Sequence, residues 1–120
     1  MLRNWVVGVL AAGVIAAPGG DGAAAAESVQ KVTVTADEFS FRPKEITVRP
    51  GKVEFTIRNV GSYAHSIAIV LPGREEKSST VLKQKTGTFT VDLQPGAYEF
   101  YCYQEGHREE GMVGRLTVKP

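Results

Sequence analysis

Residues 101–114, YCYQEGHREEGMVG, gather three side chains that bind soft metals: Cys102, His107 and Met112, with four residues between each neighbouring pair. A thiolate, an imidazole and a thioether thus share one loop. Two His, one Cys and a weak, long axial Met form the arrangement that holds copper for electron transfer, because the sulfurs suit Cu(I) and the imidazoles accept Cu(II). The loop supplies only one imidazole. The second must come from His65, the only other histidine, which heads the most apolar run of the chain just after a turn-forming stretch at residues 59–62. The donor set closes as His65, Cys102, His107 and Met112. Each has a plainer reading when taken alone: Cys102 as a buried core thiol, Met112 as core packing, His107 as a neutral surface residue. The combination outweighs these, because the only Cys, both His and one of two Met fall into one arrangement bounded by Gly106 and Gly111.

Strands must position these donors. Val32, Val34 and Ala36 alternate with polar neighbours, a run at 46–48 ends at Pro50 and Gly51, and Val53, Phe55 and Ile57 alternate up to the 59–62 turn. Such period-two patterns broken by turn residues read as half-buried strands. The near-continuous apolar run at 65–71 reads as a strand deep in the core, closed by Pro72 and Gly73. Further strands are expected at 88–93, 97–103 and 113–118. Residues 74–85, REEKSSTVLKQK, break the pattern and leave a short helix or a flexible loop open. No sustained i, i+3, i+4 apolar spacing and no repeat is visible, so the expectation is an all-β Greek-key sandwich or barrel of seven to eight strands.

With 120 residues, 42% hydrophobic and 22% charged, the chain has room for one globular domain and no second one carrying a separate site. A formal net charge of +1 favours neither nucleic acid nor an anionic membrane. Residues 1–26 read as a secretory signal peptide: Arg3, an apolar stretch at 5–17, a break at Pro18, Gly19 and Gly20, and an A-x-A pattern at Ala24 and Ala26. The rival reading is an uncleaved anchor, but the apolar run falls short of the roughly 20 residues a spanning helix needs. Membrane attachment is expected only if that segment is retained. The mature domain is then 27–120, exported and most simply periplasmic. A small exported domain normally carries disulfides, yet Cys102 has no partner in the chain, and a metal is the usual protector of such a thiol.

On these residues the chain resembles the cupredoxin, or blue copper, family. The features that carry the likeness are the N-x-G-x-x-x-H of Asn59, Gly61 and His65, the stretch PGAYEFYC at 95–102, and GHREEGMVGRLTV at 106–118. The C-x4-H-x4-M spacing is similar to the sulfocyanin and rusticyanin side of the family, since plastocyanin- and pseudoazurin-like members use shorter Cys-to-His spacings. The resemblance implies one type 1 copper ion with strong equatorial bonds from His65, Cys102 and His107 and a weak axial one from Met112. It further implies a monomeric carrier of single electrons whose protein redox partners dock near His107, with no small-molecule substrate and no nucleic acid. Many members carry Asn directly after the upstream His, tying the two ligand loops together. Here Ser66 stands there, with a backbone N–H to offer the Cys102 sulfur and a hydroxyl to offer the loop.

Rival functions fit less well. Copper nitrite reductases and multicopper oxidases need further histidines for a catalytic copper, and a binuclear copper loop needs two cysteines. Glu109 and Glu110 read as a solvated face rather than an acid–base pair, and Lys85, Thr86 and Gly87 match a β-lactamase fragment without its S-x-x-K partner. A copper-delivery protein remains the alternative, though carriers present several Met or His on open segments, and here only Met1 lies outside the four-residue set.

Overall fold

Apolar residues at every second position give each strand one inward and one outward face, and two such sheets bury their inward faces against each other. The computed structural model describes residues 28–120 in this way; the signal-peptide expectation for 1–26 lies outside the described residues. The strands are β1 (Gln30–Asp37), β2 (Ser40–Arg42), β3 (Glu45–Val48), β4 (Gly51–Asn59), β5 (Ala68–Leu71), β6 (Arg74–Lys77), β7 (Thr86–Leu93), β8 (Gly96–Tyr101) and β9 (Val113–Val118). One sheet runs β2-β1-β4-β7 and the other β3-β9-β8-β5-β6. The pairs β1–β4 and β3–β9 are parallel and the remaining neighbours antiparallel, so the chain crosses repeatedly between layers as in a Greek-key sandwich.

The core lies between the sheets. Val34, Ala36, Val53, Phe55, Ile57, Val91 and Leu93 face inward from the first sheet, and Ile46, Val48, Ile69, Phe100, Leu116 and Val118 from the second. Phe41 and Phe100 meet across the layers with ring centroids 5.2 Å apart and planes tilted by 53°. Gly114 lies under that contact, where an added Cβ would run into the Phe100 ring.

Nine strands replace the expected seven or eight, and the additions are the short β2 and β6. Residues 74–85 hold neither a helix nor a formless loop: 74–77 form β6 against β5, and the chain then returns so that Val81 bridges His65. The run at 65–71 is buried as expected, but only 68–71 is regular strand. The break comes where Ile67 donates its N–H to the Ser78 hydroxyl (3.0 Å) and accepts from Ser78 N–H (2.9 Å), a local exchange that takes the place of a ladder.

Phe41 contributes a fully buried ring to both layers, so Phe41→Ala should cost about 3–5 kcal/mol. Urea unfolding of the described domain checks this, with a lowered midpoint and an unchanged slope expected.

Candidate metal centre

The β8–β9 connection builds one side of the centre. Its ends are pinned where Cys102 N–H donates to the Met112 carbonyl (3.1 Å), directly beyond the pair Tyr101 and Val113. Between them, consecutive tight turns fold the loop on itself. His107 N–H reaches the Gln104 carbonyl (3.0 Å), and the His107 carbonyl accepts from both Glu110 (3.1 Å) and Met112 (3.1 Å). Gly106 and Gly111 reverse the chain at φ 81° and 98°, values that side chains other than glycine's strongly disfavour. The result presents the His107 ring and the Cys102 thiol on the same side of a loop only eleven residues long, from 102 to 112. Met112, directly before β9, is fully buried.

The second side is the turn before His65. Asn59, buried at the end of β4, donates from Nδ2 to the carbonyls of Tyr63 (2.9 Å) and Val81 (3.0 Å) and accepts Gly61 N–H at Oδ1 (2.9 Å). Both amide hydrogens and one lone pair of the carbonyl oxygen are thereby engaged, holding the turn and tying it to Val81. His65 exchanges both backbone hydrogen bonds with Val81, at 3.0 and 2.8 Å, which locks the residue between the turn and the 78–85 segment.

Both sides converge on one point. Cys102 Sγ lies 3.4 Å from His107 Nδ1 and 3.8 Å from His65 Nδ1, and the three donor atoms fall within 4.8 Å of one another. First-row metal bonds of about 2.0–2.3 Å to an ion at the centre of a trigonal plane set N and S donors about 3.5–3.8 Å apart, so the spacing fits one shared ion. The two imidazoles sit with centroids 5.1 Å apart. His65 and Cys102 are fully buried, whereas His107 is half-buried and reaches the surface. Burial, and next the neighbouring His65, hold the His107 imidazole below its ordinary value of 6.5, which keeps it neutral and able to bind a metal.

Ser66 takes up the hydroxyl role expected of it. Its Oγ accepts Tyr103 N–H (3.2 Å) and the Gln104 Nε2–H (3.1 Å) and stands 3.9 Å from Cys102 Sγ. With two donors already on the oxygen, the hydroxyl proton is free to point at the sulfur. Gln104 also donates to Thr80 Oγ1 (3.0 Å), and the two segments that carry the candidate donors are tied through Ser66 at the position where an Asn is common in the family.

A family model for the cupredoxin-like domain matches residues 8–118. The chain belongs to the cupredoxin-like family. This cupredoxin is 31% identical to a plastocyanin of Nostoc punctiforme over 80% of its own length and 77% of the relative's. The solved plastocyanin of Dryopteris crassirhizoma, in its oxidized form, is 31% identical with a TM-score of 0.55, covering 72% of this chain and 99% of that one. The fold also matches auracyanin of Roseiflexus castenholzii with a TM-score of 0.69 at 21% identity, over 76% of this chain and 98% of that one. These relatives are plastocyanins and an auracyanin, whereas loop spacing alone pointed to the sulfocyanin and rusticyanin side of the family.

Two residues of this cupredoxin's site were not found in the sequence. The β1–β2 turn places Glu38 against His65, with 2.7 Å between carboxylate Oε2 and Nε2, and Phe39 against His107, edge-on with centroids 5.0 Å apart. One turn therefore touches both histidines. Its only signal in sequence was an acid beside an aromatic residue at a strand end, 27 positions before His65. The Glu38 carboxyl is held below its usual 4.5, mainly by Ser62 N–H and then by the His65 ring and Tyr63 N–H, against an opposing effect of burial.

Both shifts have the same sign in the metal-free protein. His107 and Glu38 bind protons more weakly folded than unfolded, so stability is full at neutral pH and falls as pH drops, first below about 6.5 through His107 and then below about 4.5 through Glu38. Urea midpoints of the metal-free domain between pH 7.5 and 3 should fall in two steps, and His107→Gln should remove the upper one.

Proposed function

We propose that His65, Cys102, His107 and Met112 hold one type 1 copper ion and that the protein carries single electrons between partner proteins. The observation that carries this reading is the convergence of one thiol and two imidazoles from separate segments, with only the His107 ring reaching the surface. Copper bound there would supply a one-electron couple. The chain holds the donors by backbone hydrogen bonds made independently of any metal, which keeps rearrangement small on a change of oxidation state. Met112, following His107 on the loop and fully buried, would supply the fourth, weakly bound donor. Burial of His65 and Cys102 also keeps water from the thiol side.

His107 is the edge through which a partner protein would exchange the electron. Phe39 lies against its ring, and Tyr63, 58% exposed, stacks on Phe39 with centroids 6.4 Å apart, so the rim beside His107 is aromatic. Around it the charges are mixed: Arg108 pairs with Glu99 (2.6 Å) and lies over the Tyr101 ring (3.8 Å), while Glu105, Glu109 and Glu110 are exposed. An aromatic centre with a charged rim suits brief docking of a monomer on a redox partner.

The same donors argue against an enzyme, since both histidines of the chain are taken and none remains for a catalytic copper. They also weigh against copper delivery, because a carrier must release its ion and two of these donors are fully buried. The N-terminal pattern at 1–26 supports export. Among the described residues no helix is long and apolar enough to cross a membrane.

Adding Cu(II) to the mature domain should give an intense thiolate-to-copper charge-transfer band in the visible, bleached reversibly by a one-electron reductant and absent from Cys102→Ser. Stoichiometric copper binding without such a band would sink the electron-transfer reading and put copper delivery in its place.

A further inference from the structure

A histidine can bind a metal through one ring nitrogen only if the other carries the proton, and the partner of that second nitrogen decides which tautomer is present. His65 is fully buried, so nothing but the protein can make that choice. Its Nδ1 faces Cys102 Sγ at 3.8 Å, and its Nε2 lies 2.7 Å from Glu38 Oε2. A carboxylate there accepts the Nε2 proton and leaves the Nδ1 lone pair aimed at the shared point of the three donors.

Glu38 is itself tightly held. Ser62 N–H reaches both carboxylate oxygens, at 2.9 and 3.1 Å, and Tyr63 N–H lies 3.4 Å from Oε2. Both backbone partners are donors, an environment that suits a charged carboxylate. Gly61 completes the fit: a Cβ there would overlap Glu38 Oε2 and come within 3.0 Å of His65 Nε2. The turn that carries His65 and the turn that carries Glu38 are therefore shaped around each other.

We infer that Glu38 is a positioning residue that fixes the tautomer of His65 and, as a fixed negative charge behind that ligand, favours the oxidised ion and lowers the reduction potential. The inference rests on the copper reading above. A carboxylate hydrogen-bonded to a ligand imidazole raises the ring's basicity, and loss of such a partner typically changes metal affinity about 10–100-fold. Oxidised copper carries one more positive charge than reduced copper, so it gains more from the nearby anion.

Glu38→Gln keeps the size and one acceptor oxygen while removing the charge. It should retain the visible band but weaken Cu(II) relative to Cu(I) by about tenfold, which raises the potential by about 59 mV for a one-electron couple. Glu38→Ala removes the acceptor altogether, and nitrogen-15 NMR of the metal-free protein should then show His65 losing its pure Nε2–H form, a readout that needs no copper. An Nε2–H tautomer unchanged in Glu38→Ala would overturn the inference, as would a Glu38→Gln potential unchanged beside an intact band. The second result leaves the copper reading standing; absence of the band from the wild-type protein would remove that reading itself and with it the claim on the potential.

Discussion

The register of β5 against β8 is the constraint on which the site depends. Ala68 stands opposite Tyr101 and Ile69 opposite Phe100. Continued past the strand ends, that alignment carries His65 and Ser66 alongside the segment from Cys102 to Gln104, where Ser66 meets Tyr103 N–H and the Gln104 amide. A slip of one residue would turn every side chain of β5 to the opposite face. It would also take Ile69 and Leu71 out of the core, so hydrophobic burial fixes the register, and the register fixes where the candidate donors stand.

Beyond the strand ends the burden passes from apolar packing to hydrogen bonds. Asn59, His65, Ser66 and Ser78 are all buried, and a buried polar group without a partner costs about 1–3 kcal/mol. Each has partners: Asn59 in the turn, His65 on Val81 and Glu38, Ser66 on the ligand loop, and Ser78 on Ile67. Tyr103 adds a bond from its hydroxyl to the Ser78 carbonyl (2.5 Å), joining the ligand loop to the segment that holds His65. Such a network is stable only when complete, which is why it defines one geometry rather than several.

That completeness explains how one small domain serves two opposed needs. The three donor atoms are held within one cluster, and one of their side chains still reaches the surface. The sandwich answers by burying Cys102 and His65 against the network and leaving His107 on a loop whose ends are tied together by the Cys102–Met112 backbone bond. The β1–β2 turn then covers the remaining side, with Glu38 behind one imidazole and Phe39 beside the other.

The sequence alone pointed to the candidate donors and showed most of the strands. Cys102, His107 and Met112 are legible because their spacing lies within one loop, and His65 because no other histidine exists to complete the set. The strands β1, β4, β7 and β9 show themselves by alternation, which is a local consequence of having one buried face. Tertiary structure decided the rest: the division of 65–71 into a bridge and a short strand, the strand at 74–77, and the meeting of Glu38 with His65. None of these has a local cause. A polar strand such as 74–77 forms because β5 offers it an edge, and a carboxylate becomes a histidine's partner only when two distant turns are brought together by sheets packed on a common core.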